Sequence, residues 1–122
     1  MTDRELAIES IEKALEASAT LRRHLLDNER TGRKMIAALR RGVPISESVE
    51  ASGKCAAELR SSTNELLDDY ALARHQMRAA FMLPSLQEGM SIGDVARTLG
   101  ISRQLASRLV SEAKNALVPQ VG

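Results

Sequence analysis

Apolar residues recur every three or four positions along most of the chain, which is the spacing of one face of an α-helix. The first stretch begins with Thr2 and Glu5, whose spacing is that of an N-terminal capping box, and predicts a helix over residues 3–29. Glycines flank a second, shorter stretch, which predicts a separate helix over residues 33–41. The N-terminal part should therefore consist of amphipathic helices.

The middle of the chain continues in the same way. Residues 45–53 are expected to form a turn or a short helix, and the apolar steps of three and four over residues 56–73 predict a long helix. A further helix should follow from residue 72, be interrupted near Pro84, and end at Gly89.

Two short helices are predicted near the C-terminal end, over residues 92–99 and 103–116. Ser91 and Asp94 have the spacing of a cap for the first of them. Only a tight turn at Gly100 separates the two, which is typical of short helices that cross at a large angle. The predicted fold class is all-α, with long N-terminal helices followed by a C-terminal module of three helices.

Composition agrees with this fold class. Good helix formers (Ala, Leu, Arg, Glu, Met, Lys and Gln) number 70, whereas Ile, Val, Thr, Phe and Tyr together number 19. No apolar run approaches the roughly 18 to 20 residues of a membrane span, and the charged N-terminus lacks a signal peptide, so a cytoplasmic protein is expected. The single cysteine, Cys55, excludes an internal disulfide and is interpreted as an inert apolar residue.

Charge is unevenly distributed along the chain. Residues 1–30 carry 5 basic and 7 acidic side chains, whereas residues 70–122 carry 6 basic and 3 acidic side chains. The net charge of +1 therefore conceals a basic C-terminal third that can attract an anionic partner.

The stretch from Ile92 to Ser111 resembles the helix-turn-helix of DNA-binding proteins. In that motif a small residue lies where two helices touch, a glycine adopts a left-handed turn, and apolar residues fill the angle between the helices. Seven residues occupy these positions here: Val95, Ala96, Leu99, Gly100, Ile101, Ala106 and Leu109. The resemblance covers residues 74–116 and extends to the three-helix modules of bacterial regulators, site-specific recombinases and sigma factors.

The resemblance implies that the helix over residues 103–114 enters the major groove of double-stranded DNA. Arginine and glutamine side chains can then pair with guanine and adenine, with at least one of the two arginines on a base edge and the other on a base or a phosphate. The hydroxyls can contact a phosphate or a base, and the terminal lysine contacts a phosphate. Ser102 is also placed to cap this helix. The residues assigned to DNA binding are Ser102, Arg103, Gln104, Ser107, Arg108, Ser111 and Lys114.

The predicted organisation follows from these assignments. Residues 1–70 form a helical region for dimerisation or for binding a partner protein, residues 71–117 form the helix-turn-helix domain, and residues 118–122 form a flexible tail. A homodimer is expected, because one recognition helix covers only about 4 to 6 base pairs and specific binding needs two copies. The protein is thus interpreted as a sequence-specific bacterial transcriptional regulator associated with the nucleoid.

A second interpretation is a helical adaptor that binds a protein of the transcription or recombination machinery through the same hairpin. Neither interpretation involves catalysis, a metal or a cofactor. His24 and His75 are isolated along their helices, and neither a nucleophile elbow nor a glycine-rich phosphate loop is present.

A weak internal similarity occurs at a spacing of 47 residues. The pattern Leu39, Gly42, Ile45 recurs as Leu86, Gly89, Ile92. Residues 42–60 are therefore either a degenerate second helix-turn-helix or a chance similarity between two helical turns.

Overall fold

The computed structural model describes residues 2–51 and 56–116. Over these residues the protein is all-α, with five helices and no strand, which confirms the predicted fold class at this level. The helices are α1 (Asp3–Arg40), α2 (Ile45–Ala51), α3 (Ala56–Gln87), α4 (Ile92–Leu99) and α5 (Arg103–Ala116). The predicted tail over residues 118–122 and Cys55 lie outside the described residues.

Helix α1 is one continuous helix, so the predicted break before residue 33 is wrong. The helix begins with the predicted capping box, in which the N–H of Thr2 donates to Oε2 of Glu5 at 2.8 Å and the N–H of Glu5 donates to Oγ1 of Thr2 at 3.1 Å. Gly32 has no positive φ and remains within the helix. A single helical glycine costs only about 1 kcal/mol relative to alanine, which the flanking helix formers offset.

Helix α3 is also continuous, so the predicted interruption near Pro84 is wrong as well. Proline removes one backbone donor and crowds the preceding turn, but Pro84 lies in the last turn of α3. The backbone bond that is lost is the one to the carbonyl of Ala80, while the carbonyl of Pro84 still accepts from the N–H of Glu88 at 3.0 Å. The helix ends at Gln87, and Gly89 follows with a left-handed φ of 97°.

The described residues pack as two compact units, the first formed by residues 2–14 with 72–116 and the second by residues 15–51 with 56–71. The first unit contains an apolar core to which α3, α4 and α5 contribute. Burying each large apolar side chain stabilises the fold by about 1.5 to 3 kcal/mol. The core consists of Met82, Val95, Leu109 and Val110, each at most 5% exposed.

The second unit is held together differently. Among its described side chains, Ala38 and Ser48 are the buried ones. His24 and Asn28 of α1 both bond to Oγ1 of Thr63 on α3, at 2.8 Å from Nε2 and at 3.4 Å from Nδ2. Small and polar contacts therefore replace a large apolar core in this unit.

None of the helices in the described part of the chain combines the length and the hydropathy that a membrane span requires.

Candidate nucleic-acid interface

Helix α4 begins with a complete capping box. Oγ of Ser91 accepts from the N–H of Asp94 at 3.1 Å, and the Asp94 carboxylate accepts from the N–H of Ser91 at 3.2 Å. The carboxylate also pairs with Arg97 one turn later. Hydrogen bonding to Ser91, above all from its backbone N–H, lowers the pKa of Asp94 below its ordinary value of 3.8, with a smaller contribution from Arg97. The capping box and the ion pair with Arg97 thus stabilise the first turn of α4.

The turn between α4 and α5 depends on Gly100, which has a left-handed φ of 68°. This conformation lets the N–H of Ile101 reach back to the carbonyl of Ala96 at 3.0 Å, which closes the end of α4. Oγ of Ser102 then accepts from the N–H of Leu105 at 3.1 Å and caps the start of α5. Three residues therefore suffice to reverse the chain between the two helices.

One side of this hairpin packs against the core of the first unit. Val95, Ala96, Ala106 and Leu109 are buried, with Ala106 and Leu109 at 0% exposed. Leu99, Ile101 and Leu105 are half-buried and pack against the same core. Leu105 therefore already has an apolar partner within the protein.

The opposite side of α5 is exposed. At about 100° per residue, its polar side chains cover about 140° of the helix circumference and roughly 16 Å along the axis. No ion pair involves its three cations among the residues that the structure describes. The exposed side chains are Arg103, Gln104, Ser107, Arg108, Ser111 and Lys114, with Ser102 just before them.

Glu112 borders this face, and its carboxylate contacts a histidine of another helix. Its Oε2 lies 2.7 Å from Nε2 of His75 on α3. The sequence predicts an isolated His75, since 37 residues separate it from Glu112 and no local spacing connects the two. Glu112 therefore pairs with His75, and it forms no ion pair with Arg108 one turn before it.

Asn115 is a further polar residue on this face. It lines a shallow groove together with Ser107, Arg108, Ser111 and Glu112. Its distance of four residues from Ser111 places it on the same side of α5, so helical periodicity could have identified it. Oγ of Ser111 donates to the carbonyl of Ser107 at 3.2 Å, which fixes the Ser111 hydroxyl on its own helix.

The face therefore presents two guanidinium groups, an ammonium group and two amides beside one another. Such groups can donate hydrogen bonds to phosphate oxygens and to base edges. Within residues 2–51 and 56–116, no group of three or more His, Cys, Asp or Glu is placed to hold a metal ion.

No protein-family model, no curated protein and no solved structure matches the chain. A function has to be inferred from the side chains themselves.

Proposed function

We propose that residues 74–116 form a helix-turn-helix that reads double-stranded DNA, and that the protein is a homodimeric transcriptional regulator of a bacterial nucleoid. The observation that carries this proposal is the exposed polar face of α5, whose cations lack acidic partners in the described structure. A solvated helix face with a merely structural role usually carries both signs of charge, whereas the acidic residue that borders this face, Glu112, pairs with His75 instead of with the arginines.

The dimensions of the face support a major-groove interaction. A length of roughly 16 Å corresponds to about five base pairs of B-DNA at 3.4 Å each. The capped turn at Gly100 and the shared apolar core support a defined position of α5 relative to α4, as a recognition helix requires. Arg103, Gln104 and Arg108 are the side chains that we assign to base edges, and Lys114 is assigned to the phosphate backbone.

The second unit supplies a surface for the second copy. Leu15 and Leu26 are eleven residues apart, as are Leu25 and Ile36, and eleven residues complete three helical turns. All four therefore lie on one face of α1, and they are between 43% and 65% exposed. An apolar stripe of this kind favours association, and two copies would engage two half-sites.

The test of sequence-specific DNA binding begins with selection of bound duplexes from a random pool. Arg103→Ala, Gln104→Ala and Arg108→Ala are then titrated against the selected and a scrambled duplex at several salt concentrations. Replacing a residue that reads a base should weaken the binding free energy for the selected duplex by about 1 to 3 kcal/mol. It should also relax the preference at one base pair. Lys114→Ala should weaken both duplexes alike and reduce the salt slope by about one.

Arg60→Ala is the matched control, because it removes the same charge from an exposed position on α3 that belongs neither to the polar face of α5 nor to the apolar stripe of α1. It should leave the ratio of the two affinities unchanged. If the three α5 variants also leave that ratio unchanged, this face does not read sequence. If the protein shows no salt-dependent DNA binding at all, the adaptor that binds a protein through this hairpin becomes the better account.

The dimer is tested separately by sedimentation. Leu26→Asp places a charge in the proposed interface and should convert a dimer into a folded monomer, because Leu26 is already 45% exposed in the single chain. Leu67→Asp is the control, since Leu67 on α3 is 46% exposed. If Leu26→Asp sediments as a dimer, as Leu67→Asp is expected to, the interface lies elsewhere.

A further inference from the structure

A groove of about 430 Å³ lies within the first unit, and it shares Glu112 with the shallow groove on the polar face of α5. The first turns of α1, the second half of α3 and the C-terminal half of α5 form its walls. Its volume is within the range of about 300 to 1,000 Å³ that is usual for sites of small organic ligands. The apolar residues that line it are Leu6, Ala79, Ala80, Leu83, Pro84 and Ala113.

The small size of several lining residues keeps the groove open. Ala79 and Ala80 lie on α3 and Ala113 lies on α5, so no long side chain from these positions fills the space. Apolar walls of this kind favour the apolar body of a ligand over water.

The polar rim is predominantly acidic. Asp3, Glu9 and Glu112 contribute three carboxylates, whereas Lys13 contributes the one permanent cation among the lining residues. Lys13 already pairs with Glu9, with 3.4 Å between Nζ and Oε1. Even with His75 protonated, the lining residues keep an excess of negative charge.

We propose that this groove binds an organic cation with an apolar body. The apolar body occupies the space beside Ala80, and the positive charge approaches the carboxylate of Glu112. His75 now holds that carboxylate at 2.7 Å, so the ligand takes the place of His75 as the partner of Glu112. Charge complementarity selects a cation over an anion of the same shape.

The probes are tetraphenylphosphonium and tetraphenylborate, two ions of nearly the same shape and opposite charge. Calorimetric titration of the full chain without DNA should show tighter binding of the phosphonium, by roughly tenfold. Because DNA is absent, this result is independent of the proposed DNA-binding function. Equal binding of the two ions, or tighter binding of the borate, would overturn the proposal.

Variants locate the site. Glu112→Gln should weaken phosphonium binding about two- to fivefold, and Lys13→Gln should strengthen it by a similar factor. Ala80→Leu fills the groove and should abolish binding, while an unchanged circular dichroism spectrum shows that it folds. Glu65→Gln removes an exposed carboxylate from α3 that does not line the groove, and it should have no effect.

Two further measurements distinguish a ligand site in this groove from an interface between copies of the chain. The chain has two histidines, so nitrogen NMR signals of His75 should shift on titration while those of His24, which does not line the groove, stay unchanged. A shift of neither histidine would contradict the proposal. If Ala80→Leu instead dissociates a dimer, the groove is an interface between copies and the ligand site is refuted.

Discussion

Two turns of the chain, 47 residues apart, have the same backbone. Gly42 follows α1 with a φ of 85°, and Gly89 follows α3 with a φ of 97°. After each glycine, the next N–H reaches back five residues to a carbonyl, at 3.2 Å in the first turn and 3.1 Å in the second. Helices α2 and α4 then begin three residues after the glycine in both cases.

The side chains around the two turns differ. Ser48 and Val95 occupy the same position and are both 2% exposed, but Val95 joins the apolar core whereas Oγ of Ser48 donates to the carbonyl of Ile45 at 2.7 Å. Ile45 is 73% exposed, and its counterpart Ile92 packs against the core. The same local backbone thus forms beside an apolar core in the first unit and, among the described side chains of the second unit, beside a buried serine. The turn therefore depends on the glycine and on the hydrogen bonds at the helix end. The counterpart of Gly100, at residue 53, lies outside the described residues.

The largest predicted difference between the units is in the stability lost by truncating equivalent positions on α5 and α3. Leu109→Ala removes a fully buried side chain and should lower the free energy of unfolding by about 2 to 5 kcal/mol. Ser62→Ala changes the exposed counterpart 47 residues earlier and should stay within about 0.5 kcal/mol of the wild type. Urea denaturation measures both. Similar losses would mean that the second unit has a core of equal importance.

The two glycines should instead behave alike. Gly42→Ala and Gly89→Ala each force a side chain into a left-handed backbone, at a cost of about 1 to 2 kcal/mol. An added Cβ would meet nothing within 4 Å at either position, so the cost comes from the backbone conformation and not from crowding. Thermal and urea unfolding should give costs that agree closely. A large cost at Gly89 alone would show that the core, and not the turn, determines this conformation.

The sequence predicts helix caps and turns better than contacts between residues that are far apart in the chain. The bounds of α4 and α5 follow from capping residues and Gly100, all within a few residues of one another. Gly32 and Pro84 predict breaks, but continuous helices extend through both because neighbouring residues favour helix. A single residue with low propensity is therefore weaker evidence for a helix end than a glycine with a supporting cap.

For the candidate site, helical periodicity separates the exposed polar residues of α5 from the buried ones. The pairing of His75 with Glu112 could not be predicted in this way, because residues far apart in sequence meet only after α3 and α5 have packed. The same holds for the groove, whose walls combine the first turns of α1 with α3 and α5.

Gly32 provides a contrast to the two turn glycines. It lies inside α1 without a positive φ, and an added Cβ would have open space. Gly32→Ala should therefore raise the free energy of unfolding by about 0.5 to 1 kcal/mol through reduced backbone entropy of the unfolded chain and better helix propensity. Thermal unfolding would detect the increase. A loss of stability would indicate that α1 bends or separates at Gly32 in solution.

The smallest expected effect concerns the first turn of α4 and its dependence on pH. The pKa of Asp94 is lowered in the folded protein, so its carboxylate stabilises α4 at pH values above 3.8. That contribution is lost as the pH falls from 3.8 through the lower pKa of the folded state. Following the backbone amides of Ser91 and Asp94 by NMR should give a midpoint below 3.8, and Asp94→Asn should abolish this step.

Glu47 is the matched control, because it occupies the same position in α2 that Asp94 occupies in α4. Pro44 stands where α4 has Ser91, and proline offers neither a hydroxyl to cap the helix nor an N–H to bond to the carboxylate. Glu47→Gln should therefore leave the acid unfolding profile unchanged, whereas Asp94→Asn should flatten it. If the two substitutions act equally, the capping box does not distinguish the two turns, and the difference between them lies in the apolar core alone.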